Sequence, residues 1–226
     1  MKKTLTALIV GLFVLGFSSL AFGQNAWINE IHYDNVGTDV DEFVEIVIED
    51  AGSYTLSDFT VTLYNGNSGG TYGSHALDTF TEGITSGNFT IYYKYISGIQ
   101  NGAPDGMALD YQGTVITGQF LSYEGSFTAT DGPANGLTST DIGVSESGST
   151  PVGESLQLSG SGTQYSEFTW QPPATATAGN LNNGQTFGGP PLLQSQTSLV
   201  NTKYPQQLKP AMSNVILQVE RHHILL

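Results

Sequence analysis

Short β-rich runs separated by turn-forming clusters constrain the fold of this chain more than any other feature of its sequence. The runs are rich in Val, Ile, Thr, Tyr and Phe, whereas Gly, Asn and Asp fill the clusters between them. Because Gly and Asn tolerate positive φ, these clusters predict tight turns, and no helix-length amphipathic pattern is present. Strands are predicted at 27–33, 42–49, 58–64, 89–95, 106–110, 115–122, 154–159 and 168–171.

Seven or eight strands with this spacing predict an all-β fold in which two sheets pack as a sandwich. The chain has no cysteine, so no disulfide holds it together. About 165 residues between the two ends of the chain are enough for one hydrophobic core without covalent staples. The predicted core residues are Ile28, Phe43, Ile46, Phe59, Val61, Leu63, Ile91, Leu109, Phe120, Leu156, Leu158 and Trp170.

The first 23 residues have the pattern of a secretory signal peptide. Lys2 and Lys3 precede a short apolar stretch at 5–17, and a small-x-small pattern at 21–23 places the cleavage site before Gln24. The rival interpretation is a membrane anchor, because residues 5–22 almost reach the length of a spanning helix. The cleavage pattern favours a removed signal, and no later segment is apolar enough to span a bilayer. We therefore predict a secreted or cell-surface protein.

The charge of the segment between Gln24 and Phe187 restricts its partners. It carries nineteen Asp and Glu residues against one basic side chain, Lys94, a formal charge of −18 with His neutral. A nucleic-acid surface needs Lys and Arg to replace the counterions around phosphate, so this segment is not expected to bind nucleic acid directly. The same acidity favours a soluble monomer or the binding of cations.

The last residues differ in composition from the rest. Gly188-Gly189-Pro190-Pro191 is typical of a linker that ends a domain spanning 24–188. The rest of the linker and the tail span 189–226. This segment contains three of the six Lys and Arg residues of the chain and only one acid, and it does not continue the strand pattern. Two interpretations remain open: a poorly structured tail, or a segment translated out of frame.

An acidic cluster between the first two predicted strands is the candidate metal site. Asp34, Asp39, Asp41 and Glu42 supply hard oxygen ligands of the kind that calcium prefers. Asp39 and Asp41 are two residues apart, so an extended loop would direct both carboxylates to one side. The EF-hand spacing is missing, and a solvated acidic loop is the favoured alternative. Ca²⁺ is thus the one cofactor candidate.

No group of residues in the sequence forms a recognisable catalytic centre. Glu30 and His32 lie two apart on one strand and could, with Glu45, imitate a metal or acid–base site. A structural hydrogen-bonding role for Glu30 and His32 is the favoured interpretation. Carboxylate pairs for hydrolysis can be nominated among the many acids, but nothing in the sequence selects one.

Several ordered motifs resemble a known family. They are INEIHY at 28–33, DEFVEI at 41–46, LYNG at 63–66, IQNGAPDG at 99–106, FLSYEG at 120–125, TDIGV at 140–144 and NNGQTF at 182–187. Together these motifs resemble the lamin-tail-like domain of bacterial secreted proteins, in the variant often joined to extracellular nucleases. The resemblance covers about residues 25–188. It implies an immunoglobulin-like sandwich and an extracellular setting in bacteria, but no catalytic mechanism.

The sequence therefore predicts a secreted, non-catalytic β-sandwich module for interaction or attachment, with calcium as a candidate stabiliser. Its partner is expected to be an extracellular protein or glycan. The alternative is an accessory domain or fragment of an extracellular endonuclease or phosphatase whose catalytic domain is absent from this chain. A third hypothesis is that the clustered acids themselves hydrolyse a polysaccharide or a phosphoester.

Overall fold

The computed structural model describes residues 24–188 as two β-sheets. The predicted signal peptide and the predicted tail from residue 189 onward lie outside the described residues. Four short 3-10 helices lie between strands, at Ala51–Ser53, Leu56–Asp58, Leu77–Thr79 and Tyr165–Glu167. The strands are β1 (Ala26–His32), β2 (Phe43–Glu49), β3 (Phe59–Asn65), β4 (Gly70–Ala76), β5 (Thr81–Ser86), β6 (Phe89–Tyr95), β7 (Asp105–Tyr111), β8 (Thr114–Tyr123), β9 (Thr140–Asp141), β10 (Glu154–Gly162), β11 (Thr169–Thr175) and β12 (Gln185–Phe187).

The two sheets pack face to face, which confirms the predicted sandwich. In the first sheet the strand order is β11-β10-β1-β2-β6-β5, and β12 pairs in parallel with β10. The second sheet has the order β4-β3-β7-β8-β9. Apolar residues of both sheets, including Ile46, Val61 and Leu109, form one continuous core. No helix among the described residues is long and apolar enough to cross a membrane.

All twelve predicted core residues are buried, and one of them lies in a second, smaller cluster. Phe120 packs with Tyr64, Phe127 and two alanines of the loop at 125–139. The Tyr64 hydroxyl accepts a hydrogen bond from the Ala134 backbone N–H at 3.0 Å, which anchors this loop to the second sheet. A loop and its own small core therefore cover the second sheet.

Each of the eight predicted strands is present, with ends that differ by a few residues, and four further strands were missed. The missed β4 and β5 are the edge strands of the second and first sheets, and neither has a fully buried residue. An edge strand that packs weakly has no need for apolar alternation, so the pattern used to find strands is absent from both. The other two missed strands, β9 and β12, have only two and three residues.

Candidate functional site

A segment that follows β11 covers the outer face of the first sheet. This cover segment, residues 176–184, crosses the sheet and reaches the edge strand, where Gly179 accepts a hydrogen bond from Ile84 N at 2.9 Å. It returns to the centre through Asn182, whose Nδ2 donates to the carbonyl oxygens of Asn29 at 2.9 Å and Leu158 at 3.0 Å. Two glutamates that point outward from the sheet are thereby enclosed.

Glu30 is the more heavily hydrogen-bonded of these two glutamates. It is fully buried, and its Oε1 accepts hydrogen bonds from Ser155 Oγ, Gln157 Nε2 and the Thr177 backbone N–H. Its Oε2 accepts a fourth, from Thr177 Oγ1 at 2.9 Å. Burial raises the pKa of Glu30, and these hydrogen bonds act in the opposite direction. The carboxylate ties β10 and the cover segment to β1, as the predicted structural role requires.

Glu45 lies directly opposite Glu30 on the neighbouring strand and is also fully buried. It accepts hydrogen bonds from Asn29 Nδ2 at 2.8 Å and from the Gly179 backbone N–H at 2.7 Å. Burial, followed by the negative charge of Glu30, raises the pKa of Glu45 well above its ordinary value. Two buried carboxyl groups that face each other favour retention of a proton by one of them. The pair holds the cover segment because Glu30 accepts from Thr177 and Glu45 accepts from Gly179.

A second buried polar cluster joins His32 to Glu146. The two side chains are almost fully buried, with His32 Nδ1 2.9 Å from Glu146 Oε1. The other Glu146 oxygen accepts the backbone N–H groups of Tyr33 at 2.6 Å and Asp34 at 3.0 Å. His32 Nε2 lies 3.1 Å from the Val40 carbonyl oxygen. Both ring nitrogens therefore face acceptors, and only the doubly protonated imidazolium can donate to both.

Two opposing effects set the pKa of His32. Burial lowers it, but the hydrogen bond and negative charge of Glu146, together with the Val40 carbonyl, outweigh burial and raise the pKa above its ordinary value. The charged imidazolium is thus the form that the fold stabilises. This pair joins β1 to the loop that precedes β10 and fixes the start of the β1–β2 loop.

Because of these two clusters, the protein should be more stable at mildly acidic than at alkaline pH. A folded state that raises the pKa of Glu45 above 4.5 or of His32 above 6.5 binds their protons more tightly than the unfolded chain does. The resulting stability is present below those ordinary values and is lost as pH rises through the folded-state pKa. Thermal melting should therefore give a higher Tm at about pH 5 than at about pH 8. Glu45→Gln should reduce the difference, and a Tm that rises with pH would contradict the assignment.

The β1–β2 loop is organised by Asn35, a fully buried residue whose role is not predictable from the sequence. Its Nδ2 donates to the carbonyl oxygens of Val36 at 3.0 Å and Thr38 at 3.1 Å, and its Oδ1 accepts the Val40 N–H at 2.9 Å. Asp39 Oδ1 accepts the Asn35 backbone N–H at 3.2 Å. An internal set of hydrogen bonds therefore closes this loop.

The four predicted calcium ligands lie in different surroundings at this end of the sandwich. Asp34 is half-buried, and burial followed by repulsion from the nearby Asp39 raises its pKa. Asp39 Oδ2 accepts from Asn101 Nδ2 at 3.2 Å. Glu42 is buried and accepts the Gly98 N–H at 2.8 Å. Asp41 is exposed with φ 58°, so the backbone there is not extended, and the same-side argument for Asp39 and Asp41 fails.

Within residues 24–188, no group of three or more His, Asp or Glu side chains is placed to hold one metal ion. Calcium binding at these residues stays a prediction. If calcium binds there, the melting temperature rises with calcium relative to chelator, because a ligand of the native state stabilises it by mass action. Asp39→Asn combined with Asp41→Asn should remove that shift. Identical melting curves of the parent chain with calcium and with chelator would end the hypothesis.

Other buried carboxylates serve turns of the second sheet. Asp105 accepts the backbone N–H groups of Gly66 at 2.8 Å and Gly102 at 2.7 Å, and Asp110 accepts that of Gly113 at 2.9 Å. Burial raises the pKa of both aspartates in spite of these hydrogen bonds. The carboxyl oxygens of these two aspartates therefore anchor the backbone of the loops.

An open cleft lies beside the start of β1, between that strand and the β7–β8 hairpin. It has a volume of about 820 Å³ and is lined by residues 24–26, by the β7–β8 hairpin within 111–119 and by residues 164–166. None of the described residues that line it is acidic, basic or a histidine. The side chains that line the cleft are thus neutral, within a strongly acidic domain.

Comparison with protein-family models, curated proteins and solved structures finds no match for this chain. The resemblance to lamin-tail-like domains consequently depends on the sequence motifs alone. Several of those motifs contain residues of the buried polar clusters. The motif at 28–33 contains Glu30 and His32, and the motif at 41–46 contains Glu45. The motif at 182–187 contains Asn182, together with Gln185, whose Nε2 donates to Asn29 Oδ1.

The hydrogen bonds between these residues are not predictable from sequence spacing. Glu146 is 114 residues from His32 and lies in a loop whose composition has no distinguishing feature. A signal was present for the glutamate pair, because Glu30 and Glu45 stand within the apolar strands AWINEIH and FVEIVIE. Strands that are apolar on both faces are expected to be buried on both faces, and an acid inside one is expected to be buried as well.

Proposed function

We propose that this domain is a secreted, non-catalytic binding module of the lamin-tail-like type, which serves interaction or attachment outside the cell. The observation that carries the proposal is that the buried acids have protein partners and that none of them lines the open cleft. Buried carboxylates accept hydrogen bonds from loop backbone and neighbouring side chains, whereas the cleft presents uncharged groups. The signal-peptide pattern at 1–23 supports the extracellular setting.

The same geometry disfavours hydrolysis by the buried glutamates. A general acid or base must lie within hydrogen-bond reach of the substrate, usually in a cleft. Glu30 and Glu45 are enclosed beneath the cover segment, and Glu146 is saturated by His32 and two backbone N–H groups. These carboxylates therefore have structural partners where a catalytic acid would need a substrate.

The test is an assay of the purified chain on duplex DNA, a phosphomonoester and a neutral polysaccharide, each with magnesium and with calcium. The proposal expects no product above a buffer control and no retardation of duplex DNA at physiological salt, since the domain offers no cationic stripe. Hydrolysis that copurifies with the chain and is lost in an Asp34→Asn/Asp39→Asn variant would overturn it. Such a result would favour the third hypothesis, in which the clustered acids act on a phosphoester or glycan.

A further inference from the structure

The neutral cleft beside the start of β1 has the size of a ligand site. Its volume of about 820 Å³ falls in the range of roughly 300–1,000 Å³ that is typical of small-molecule and cofactor sites. Amide, hydroxyl and aromatic side chains line it, among them Gln112, Thr117, Gln119 and two tyrosines. These lining side chains carry no charge, and a ligand rich in hydroxyl groups would find donors and acceptors among them.

Two amides that line the cleft donate to nearby carboxylates. Glu49 accepts from Asn25 Nδ2 at 2.8 Å, and Asp58 accepts from Gln112 Nε2 at 2.9 Å. Asn25 Nδ2 also donates to the Thr163 carbonyl at 2.7 Å. The amide nitrogens are thereby fixed, and among the described residues no donor reaches the amide oxygens of Asn25 and Gln112. Two oriented acceptors remain for a ligand.

Gln119 supplies the complementary donor. Its side chain is 1% exposed, and its Oε1 accepts the Ile28 backbone N–H at 2.8 Å across the sandwich. No acceptor for its Nε2 group is found in residues 24–188, although Gln119 lines the cleft. Gln119 Nε2 is not among the buried atoms without a partner, so it reaches the solvent of the cleft, where a ligand oxygen can accept a hydrogen bond from it.

Two tyrosine rings add apolar surface to the same cleft. Tyr165 is held in place because its hydroxyl accepts a hydrogen bond from Trp170 Nε1 at 3.0 Å. Tyr111 packs against Phe59, with ring centroids 4.8 Å apart, and remains half-exposed on its other side. Fixed aromatic rings beside oriented amides suit a ligand that has both apolar C–H faces and hydroxyl groups.

We propose that this cleft binds a segment of a neutral polysaccharide through Gln119, the Asn25 and Gln112 amides and the two tyrosine rings. The inference rests on the proposed function, because it names the ligand class of that binding module. Because the cleft is open to solvent, a polymer that binds through a few of its sugar units need not be enclosed. A polyanion would be repelled by this strongly acidic domain, so that ligand class is disfavoured.

Affinity electrophoresis of the purified chain tests the inference. The probes are a β-glucan, a xylan, a galactomannan and an α-glucan, with polygalacturonate as the anionic comparison. We expect at least one neutral polymer to retard the chain.

Thr117→Trp, which fills the cleft from an exposed position, should weaken this binding about tenfold or more. Gln119→Glu, which keeps the acceptor for Ile28 but removes the donor, should also weaken it. Thr81→Trp, exposed on the far edge strand, is the matched control and should bind like the parent.

The other outcomes separate this inference from the proposed function. No retardation by any neutral polymer, or equal retardation of the Thr117→Trp and Thr81→Trp chains, overturns the cleft assignment. Retardation by polygalacturonate alone overturns the neutral ligand class. In each of these cases the module remains a binding candidate. Release of reducing ends during the same incubation would instead contradict the proposed non-catalytic function.

Discussion

Glu146→Ala should lower the free energy of unfolding by about 3–5 kcal/mol, because removal of one partner leaves the other ion buried without compensation. The substitution strands the charge of His32 and the backbone N–H groups of Tyr33 and Asp34. Urea denaturation at mildly acidic pH, where His32 is protonated, measures the loss. Asp78→Ala provides the control, since this carboxylate is exposed and has no hydrogen-bond partner among the described residues. A loss in Glu146→Ala no larger than in the control would contradict the role assigned to the pair.

A double variant distinguishes the pair itself from its backbone contacts. His32→Phe combined with Glu146→Leu removes both charges, and replacement of a buried ion pair by apolar residues is often close to neutral. Two backbone N–H groups would still lack their acceptor, so we expect the double variant to recover only part of the stability. Complete recovery would show that the hydrogen bonds to the β1–β2 loop contribute little.

Glu30→Ala should cost about 3 kcal/mol, because each buried donor left without an acceptor costs about 1–3 kcal/mol. Ser155 Oγ and the Thr177 N–H both lose their partner at Glu30. The cover segment loses its central attachment, so limited proteolysis should cleave within 176–184 faster than in the parent. Urea denaturation gives the change in stability.

The matched variant Glu30→Gln should remain within about 1 kcal/mol of the parent, since it keeps the acceptor but relieves a buried like-charge pair. Its amide oxygen can accept the three donors that reach Oε1, and its amide nitrogen can donate to Thr177 Oγ1, a hydroxyl that also accepts. Equal losses in Glu30→Ala and Glu30→Gln would show that the charge, and not the acceptor, holds the cover segment.

Local patterns predicted the sandwich because they report local physics. Short β-rich runs predicted strands such as β2 and β6, and the Gly-Asn cluster at 65–70 predicted the turn that follows β3. The glutamate pair could not be read in the same way. Glu30 lies opposite Glu45 only because the β1–β2 register shifts between Ile28 and Glu30. Asn29, at this shift, accepts hydrogen bonds from Trp27 and from the distant Gln185, a contact that sequence spacing does not reveal.

The acidic loop shows a second limit of sequence spacing. Asp34, Asp39, Asp41 and Glu42 are close in sequence, which suggested a shared ion. In the fold, Asn35 closes the loop on itself, and Glu42 accepts a hydrogen bond from the β6–β7 connection. Nothing in the sequence distinguishes Asn35 from the other polar residues of this loop. Its role depends on burial, which the strands on either side impose.

Carboxyl-carbon NMR of the glutamate side chains, followed from acidic to alkaline pH, would show most directly whether the buried acids serve the fold. Glu45 should titrate well above 4.5, and Glu30 should also titrate above that value, because the cover segment keeps both from water. In Glu30→Gln the pKa of Glu45 should fall, since the opposing charge is gone. If Glu30 and Glu45 both titrate near 4.5 in the parent, the carboxylates are solvated, and the structural role given to them is wrong.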